Sequence, residues 1–247
     1  MNMNFYKIIL EYEGTNYNGW QRQKNTDNTI QQIMEDKLKL INKSPVNAIS
    51  AGRTDAGVHA RAQVVNFKLD VDIPIKRVPA ALNSVLPNNI ICKGAQKVNP
   101  EFHSRYDALG KFYRYRLSNN NYASVFTRNY VYNIKSFIDF QKIRKAAPLL
   151  VGTHDFASFQ NSGSDVSKTV RTIKKIDIID TGEEYHFDIK GSGFLYKMVR
   201  IMMGTFIEIG QGKIKLDELE KIIDGQKRHR AGFTAPAKGL TLMKVYY

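Results

Sequence analysis

The stretch Ala51-Gly52-Arg53-Thr54-Asp55-Ala56-Gly57-Val58-His59-Ala60 is the densest chemical constellation in the chain. Gly52 and Gly57 allow positive φ and close backbone approach, as in a tight loop facing a ligand. Between them stand a guanidinium, a hydroxyl and a carboxylate. Taken alone, R-T-D-A-G reads as a surface turn in which Asp55 caps Val58 or pairs with Arg53. What surrounds the loop decides between a turn and a site.

Upstream, Tyr6, Ile8, Leu10 and Tyr12 alternate with Lys7, Ile9 and Glu11, the period of a strand with one buried face. Gly14 and Gly19 bound a loop carrying Tyr17 and the single tryptophan, Trp20. A helix is expected from Thr29, with Gln32 completing a capping box. Ile30, Ile33, Met34, Leu38 and Ile41 follow at helical spacing before Ser44-Pro45. A short strand at Asn47–Ser50 enters the loop, and a strand bearing Val65, Phe67 and Leu69 leaves it. A helix at Lys76–Leu86 and a strand at Ile90–Ala95 complete this half, and Val98–Asp107 reads as a connection.

The second half repeats the theme. Strands are expected at Lys111–Ser118, Val170–Ile179, Tyr185–Lys190 and Leu240–Tyr247. Helices are expected from Ser136, with Asp139 available as a cap, after Gly191-Ser192-Gly193, and at Leu216–Ile223. Many strands are joined too briefly for βαβ crossovers. The fold class is therefore α+β, helices on a largely antiparallel sheet, in two halves at 1–101 and 102–247.

Composition narrows the function. Lys plus Arg number 37 against 23 Asp plus Glu, a net charge of +14, which favours a polyanionic partner over mere solubility. Thirteen Tyr and 13 Phe add stacking surfaces for bases. The lone Cys92 excludes an intrachain disulfide and a cysteine-based zinc site, and the scattered histidines lack metal-ligand spacing. No segment approaches the roughly 20 apolar residues of a membrane helix. The opening MNMNFYKIIL lacks the order of a signal peptide, so a cytoplasmic protein is expected. Lys142-Arg144-Lys145, Lys168-Arg171-Lys174-Lys175 and Lys227-Arg228-His229-Arg230 are solvated faces singly and a candidate phosphate track together.

Ordered motifs then run along nearly the whole chain. They begin with Tyr12-Glu13-Gly14, Gly19-Trp20-Gln21-Arg22-Gln23, Gly52–Ala60 and Gln63-Val64-Val65. Phe102-His103 and Tyr113-Arg114-Tyr115 follow. Then come His154-Asp155-Phe156 with Ser158-Phe159, Gly193-Phe194-Leu195, Met198-Val199-Arg200, Gly204 and Gly239-Leu240. In this order and spacing the chain resembles the tRNA pseudouridine synthase A family. Three positions depart from the family pattern: Ala62 for a usual glycine, Asn89 for a common aspartate, and Thr241 where an aromatic is frequent. The resemblance implies a pseudouridine synthase fold, two α/β halves joined through a largely antiparallel central sheet beside a basic RNA-binding cleft. It also implies a homodimer, no cofactor and, as substrate, the anticodon stem-loop of tRNA.

Isomerising uridine breaks the N-glycosidic bond, turns the base and rejoins it through C5. Neither redox chemistry nor phosphate energy is needed, in keeping with the absence of dinucleotide and P-loop signatures. A carboxylate suits a step that adds covalently and leaves again. By resemblance that group is Asp55, with three first steps open to it: attack on C1′, attack on C6 of the base, or removal of the 2′ proton. A carboxylate in a water-excluding cleft needs a cation to stay ionised, because burial favours the neutral acid. Arg200, among Met198, Val199, Ile201, Met202 and Met203, is the candidate. Tyr113 is implied as a ring stacked on the target base, whereas Tyr115 on the same strand face is read as core. Arg53 is expected to hold the loop and help fill the gap left by a flipped uridine. His59 is open between loop support and RNA contact. A non-catalytic RNA-binding protein on the same scaffold is the rival reading, and it would be expected to lose some of Asp55, Arg53, Tyr113 and Arg200. A two-carboxylate glycosidase is disfavoured, because Asp55 is the one acid in the loop.

Overall fold

The computed structural model describes residues 4–161, 163 and 168–247. Residues 1–3, which open the N-terminal stretch read above for a signal peptide, lie outside them. The chain forms two compact units: one runs to Leu109 and takes in Thr241–Tyr247, and the other is Gly110–Leu240. This differs from a division at 101/102, chiefly because the C-terminal strand returns to the first unit.

In the first unit, β1 (Asn4–Tyr12) alternates as the sequence predicts, with Tyr6, Ile8, Leu10 and Tyr12 buried. Helix α1 (Ile30–Asn42) is capped by Thr29, whose side chain accepts from Gln32 N at 3.3 Å. Only half of the capping box forms, since the Gln32 amide donates onward to Asp36. Lys43 closes the helix in the left-handed region at φ 63°, and Ile30, Met34 and Leu38 form its buried stripe. A short β2 (Ile49–Ser50) precedes the 52–58 loop, and β3 (His59–Leu69) follows it. Helix α2 (Val78–Asn83), entered through a 3₁₀ turn, is shorter than expected, and β4 (Ile90–Lys97) pairs antiparallel with β1. β1 also pairs antiparallel with β3, so it has a strand on each side from Tyr6 to Tyr12.

In the second unit, β5 (Gly110–Ser118) pairs antiparallel with β9, and a two-residue β6 (Tyr132–Asn133) lies parallel beside its end. Helix α3 (Phe140–Ala146) begins four residues later than Ser136, because Asp139 is its cap and accepts from Gln141 N and Lys142 N. β7 (Gly152–Asp155), β8 (Val170–Asp180) and β9 (Tyr185–Gly191) complete an antiparallel ladder. Helix α4 (Met198–Gly210) is apolar nearly all round and is buried accordingly. Helix α5 (Glu218–Gly225) follows, its buried side formed by Leu219, Ile222 and Ile223. The chain then re-enters the first unit as β10 (Leu240–Tyr246), parallel to β3 through Thr241 opposite His59 and Leu242 opposite Ala60. The architecture is mixed α+β with mostly antiparallel strand pairing. Among the described residues no helix is long and apolar enough to cross a membrane.

Candidate active site

The loop after β2 is held from beneath. Ala51 N donates to Val64 O at 2.8 Å, and the Gln63 amide donates to Gly52 O at 2.8 Å. Thr54 points inward, its hydroxyl 2.8 Å from that of Tyr12, and its carbonyl accepts from Trp20 N at 3.0 Å. Gly57 N donates to Tyr17 O at 3.2 Å. The turn itself closes through backbone, Val58 N to Asp55 O at 3.1 Å, with Gly57 at φ 78°. That positive φ at the third turn position is why a glycine stands there.

The supporting loop, residues 14–20, is fixed in turn by the start of α1. Ile30 N donates to Gly19 O at 3.1 Å and Gln31 N to Trp20 O at 3.0 Å, satisfying amides that a helix start leaves without intrahelical partners. Close approach makes two glycines obligatory. A Cβ on Gly14 would lie 2.0 Å from Val58 O, and one on Gly19 2.6 Å from Thr54 O. His59 is buried at 2% exposure, and its Nδ1 accepts from Gly14 N at 3.0 Å. His59 thus ties the 14–20 loop to the start of β3. Two departures from the family pattern touch this support: Asn89 accepts the Tyr17 hydroxyl at 2.5 Å, and Thr241 is paired beside His59.

Exposure alternates along the loop. Arg53 is exposed, Thr54 buried and Asp55 half-buried. Among the described residues Arg53 takes part in no ion pair, so the alternative of a surface turn closed by an Arg53–Asp55 pair is not what forms.

In the second unit, Tyr113 and Tyr115 share the buried face of β5. Tyr115 is core: fully buried, it donates to Pro236 O at 2.9 Å, and burial pushes its hydroxyl pKa well up. Tyr113 meets Phe194 edge-on with centroids 5.2 Å apart. On the opposite face, Arg114 is not simply solvated. It forms a bidentate pair with Asp188 at 2.6 and 2.7 Å, and Arg116 pairs with Glu184 at 2.8 Å. Arg200 is half-buried on α4, and its Nε donates to Ala235 O at 2.8 Å while Ala235 N returns a bond to Arg200 O at 3.0 Å. The 231–235 segment can lie that close because of Gly204, whose Cβ would fall 1.7 Å from Phe233 O.

Three arginines of the basic clusters are held by backbone carbonyls. Arg144 donates to Ile178 O, Arg171 to Lys168 O and Val170 O, and Arg228 to Ala231 O and Gly232 O. Burial lowers the pKa of Arg171 and Arg228. Lys142, Lys145, Lys168, Lys174, Lys175 and Lys227 are exposed. Arg144, Arg171 and Arg228 therefore carry structural bonds, while these lysines and the exposed Arg230 supply accessible charge, Lys142 and Lys175 also pairing with Asp139 and Asp177. Among the described residues no His/Cys/Asp/Glu group could hold a metal ion. The family motifs contain Tyr12, Thr54 and Gln63, but nothing in the sequence assigns them a role; their joining beneath the loop comes from the tertiary structure, with Gln63 opposite Leu10 on the neighbouring strand.

Comparison with known proteins gives the chain its family. A family profile described as tRNA pseudouridine synthase matches residues 8–107 and 146–247. Across nearly the full length, the chain is 46% identical to tRNA pseudouridine synthase A of Acetivibrio thermocellus, covering 98% of each. It is 44% identical to the protein of that name from Thermoanaerobacter sp. strain X514, over 97% of this chain and 98% of the relative. It is also 42% identical to tRNA pseudouridine synthase A 2 of Clostridium perfringens, over 98% of both. The chain belongs to the tRNA pseudouridine synthase A family.

Proposed function

We propose that this protein is an isomerase that converts uridine to pseudouridine in the anticodon stem-loop of tRNA in the cytoplasm, with Asp55 as its nucleophile. The observation that carries the reading is the Gly52–Ala60 loop, whose backbone and Thr54 are tied down while Arg53 stays exposed and Asp55 half-buried, in a chain of this family. The N1–C1′ bond breaks, the freed uracil turns, C5 bonds to C1′, the C5 proton leaves to solvent, and N1 takes up a proton, so the product is an isomer of the substrate. Asp55 holds the substrate covalently between breaking and joining, or prepares that step by removing the 2′ proton. Arg200 is the cation that keeps the carboxylate ionised, and its Nε bond to Ala235 O fixes where that guanidinium stands. Tyr113 stacks on the base, and Arg53 fills the space that the base vacates. The family resemblance implies a basic RNA-binding cleft, and no cofactor takes part.

The test is Asp55→Ala with tRNA tritiated at uridine C5. Expected is wild-type tRNA affinity and no tritium release; release at the wild-type rate ends the assignment. A homodimer belongs to the same proposal. Tyr122, Val125, Phe126 and Phe137 are 86, 65, 90 and 80% exposed, apolar surface that a second copy would cover. Sedimentation at the 28.2 kDa of a single chain would remove that part. The name of the Clostridium perfringens relative ends in a numeral, consistent with family members that exist as second copies. Which uridines this chain modifies is settled by mapping pseudouridine in tRNA from cells with and without it.

A further inference from the structure

Beneath the loop lies a buried polar cluster that the reaction chemistry does not itself require. Tyr12 is 3% exposed, Thr54 6% and Gln63 0%, so water cannot substitute for lost partners there. The hydroxyls of Tyr12 and Thr54 are 2.8 Å apart, and Gln63 holds Gly52 O with its amide. Burial pushes the Tyr12 hydroxyl up to about 12, against the smaller opposing effects of Thr54 and Gln63. It therefore stays protonated at physiological pH, and its service is hydrogen bonding. Tyr12 also sits at the end of β1, whose ladders to β3 and β4 make it one of the most firmly placed hydroxyls in the unit. The Trp20 ring lies 6.4 Å from its own, and Trp20 N holds the Thr54 carbonyl. Thr54 is thus gripped at both its side chain and its backbone, while its neighbours Arg53 and Asp55 are exposed and half-buried respectively.

We infer that Tyr12 is a positioning residue for the isomerisation: through the Thr54 hydroxyl it roots the middle of the loop, so that Arg53 and Asp55 are presented together to the uridine. This rests on Asp55 being the nucleophile. Tyr12 touches neither the carboxylate nor the base in this account. Its effect is on how well the carboxylate is aimed, and small misplacements of a reacting group are expensive in rate.

The experiment compares full-length Tyr12→Phe, Thr54→Val, Thr54→Ser, Asp55→Ala and the Tyr12→Phe/Thr54→Val double variant, using single-turnover rates and tRNA affinity. Thr54→Val is nearly isosteric, and retained tRNA affinity reports a folded protein. Expected for Tyr12→Phe and Thr54→Val is a fall in rate of about ten- to a hundredfold, with affinity within about twofold of wild type. Thr54→Ser, which keeps the hydroxyl, retains most of the rate. Because both substitutions remove one shared bond, the double variant is no slower than the slower single one. A wild-type rate for Tyr12→Phe, losses that multiply, or Thr54→Ser as slow as Thr54→Val each overturn the inference. If Asp55→Ala is active, the nucleophile reading fails; if it is inactive while Tyr12→Phe is unimpaired, the positioning role alone fails.

Discussion

Tyr113 and Tyr115 lie two residues apart on one face of β5, yet their surroundings assign them different work. Tyr115 is sealed in, with its hydroxyl committed to Pro236 and its ring against Gly239. Tyr115→Phe should cost about 1 kcal/mol of stability, the net worth of one buried hydrogen bond, and leave the isomerisation rate unchanged. Denaturant unfolding beside a tritium-release assay checks both halves of that statement. Arg200 shows a different division, between charge and shape. Arg200→Lys keeps a cation but cannot reproduce the planar donor that reaches Ala235, so folding should survive while the rate falls about tenfold or more. A lysine variant with wild-type turnover would mean that charge alone suffices.

At the level of elements, α4 and the 231–235 segment form one unit of placement. Gly204 lets the segment press against the helix, and Ala235 then fixes Arg200. Gly204→Ala forces a methyl into occupied space and should destabilise the protein by about 1–3 kcal/mol, with loss of activity exceeding that of a surface substitution. An unchanged melting temperature would contradict this. The β5–β9 ladder carries a second such device. Asp188 is nearly buried and Arg114 is 26% exposed at the side chain, so the pair is partly screened. Asp188→Ala should therefore cost about 2–3 kcal/mol, below the range for a fully buried pair. Such element-level detail is unevenly legible. The period-2 run of β1, the Thr29 cap and the Asp139 cap stand in the sequence. β6 and β7 do not, since strands of two to four residues carry too little pattern to register.

For the molecule as a whole, a net charge of +14 predicts tRNA affinity that falls steeply and linearly with log salt concentration. Replacing exposed lysines such as Lys174 and Lys175 should reduce that slope by about one unit for each phosphate no longer neutralised. Replacing Arg144 or Arg228 should instead reduce stability, because those side chains hold backbone carbonyls. Salt titrations of the two classes separate them. The sequence could not make this distinction, since a run of basic residues looks alike whether its guanidinium faces solvent or folds back.

The sequence by itself determined the α+β class, the family and the loop on which Asp55 sits, because periodicity, glycine placement and motif order are local properties of the chain. Tertiary structure decided what holds that loop: the Tyr12 hydroxyl, Trp20 N, Tyr17 O and His59 Nδ1 come from residues distant along the chain or beyond the turn. It also decided that Thr241–Tyr247 belongs with the first unit. A strand's own residues specify that it is a strand, whereas its neighbours are chosen by the folding of the rest of the chain. The loop at Gly52–Ala60 was visible from its letters, and the reason it can hold a carboxylate in place was not.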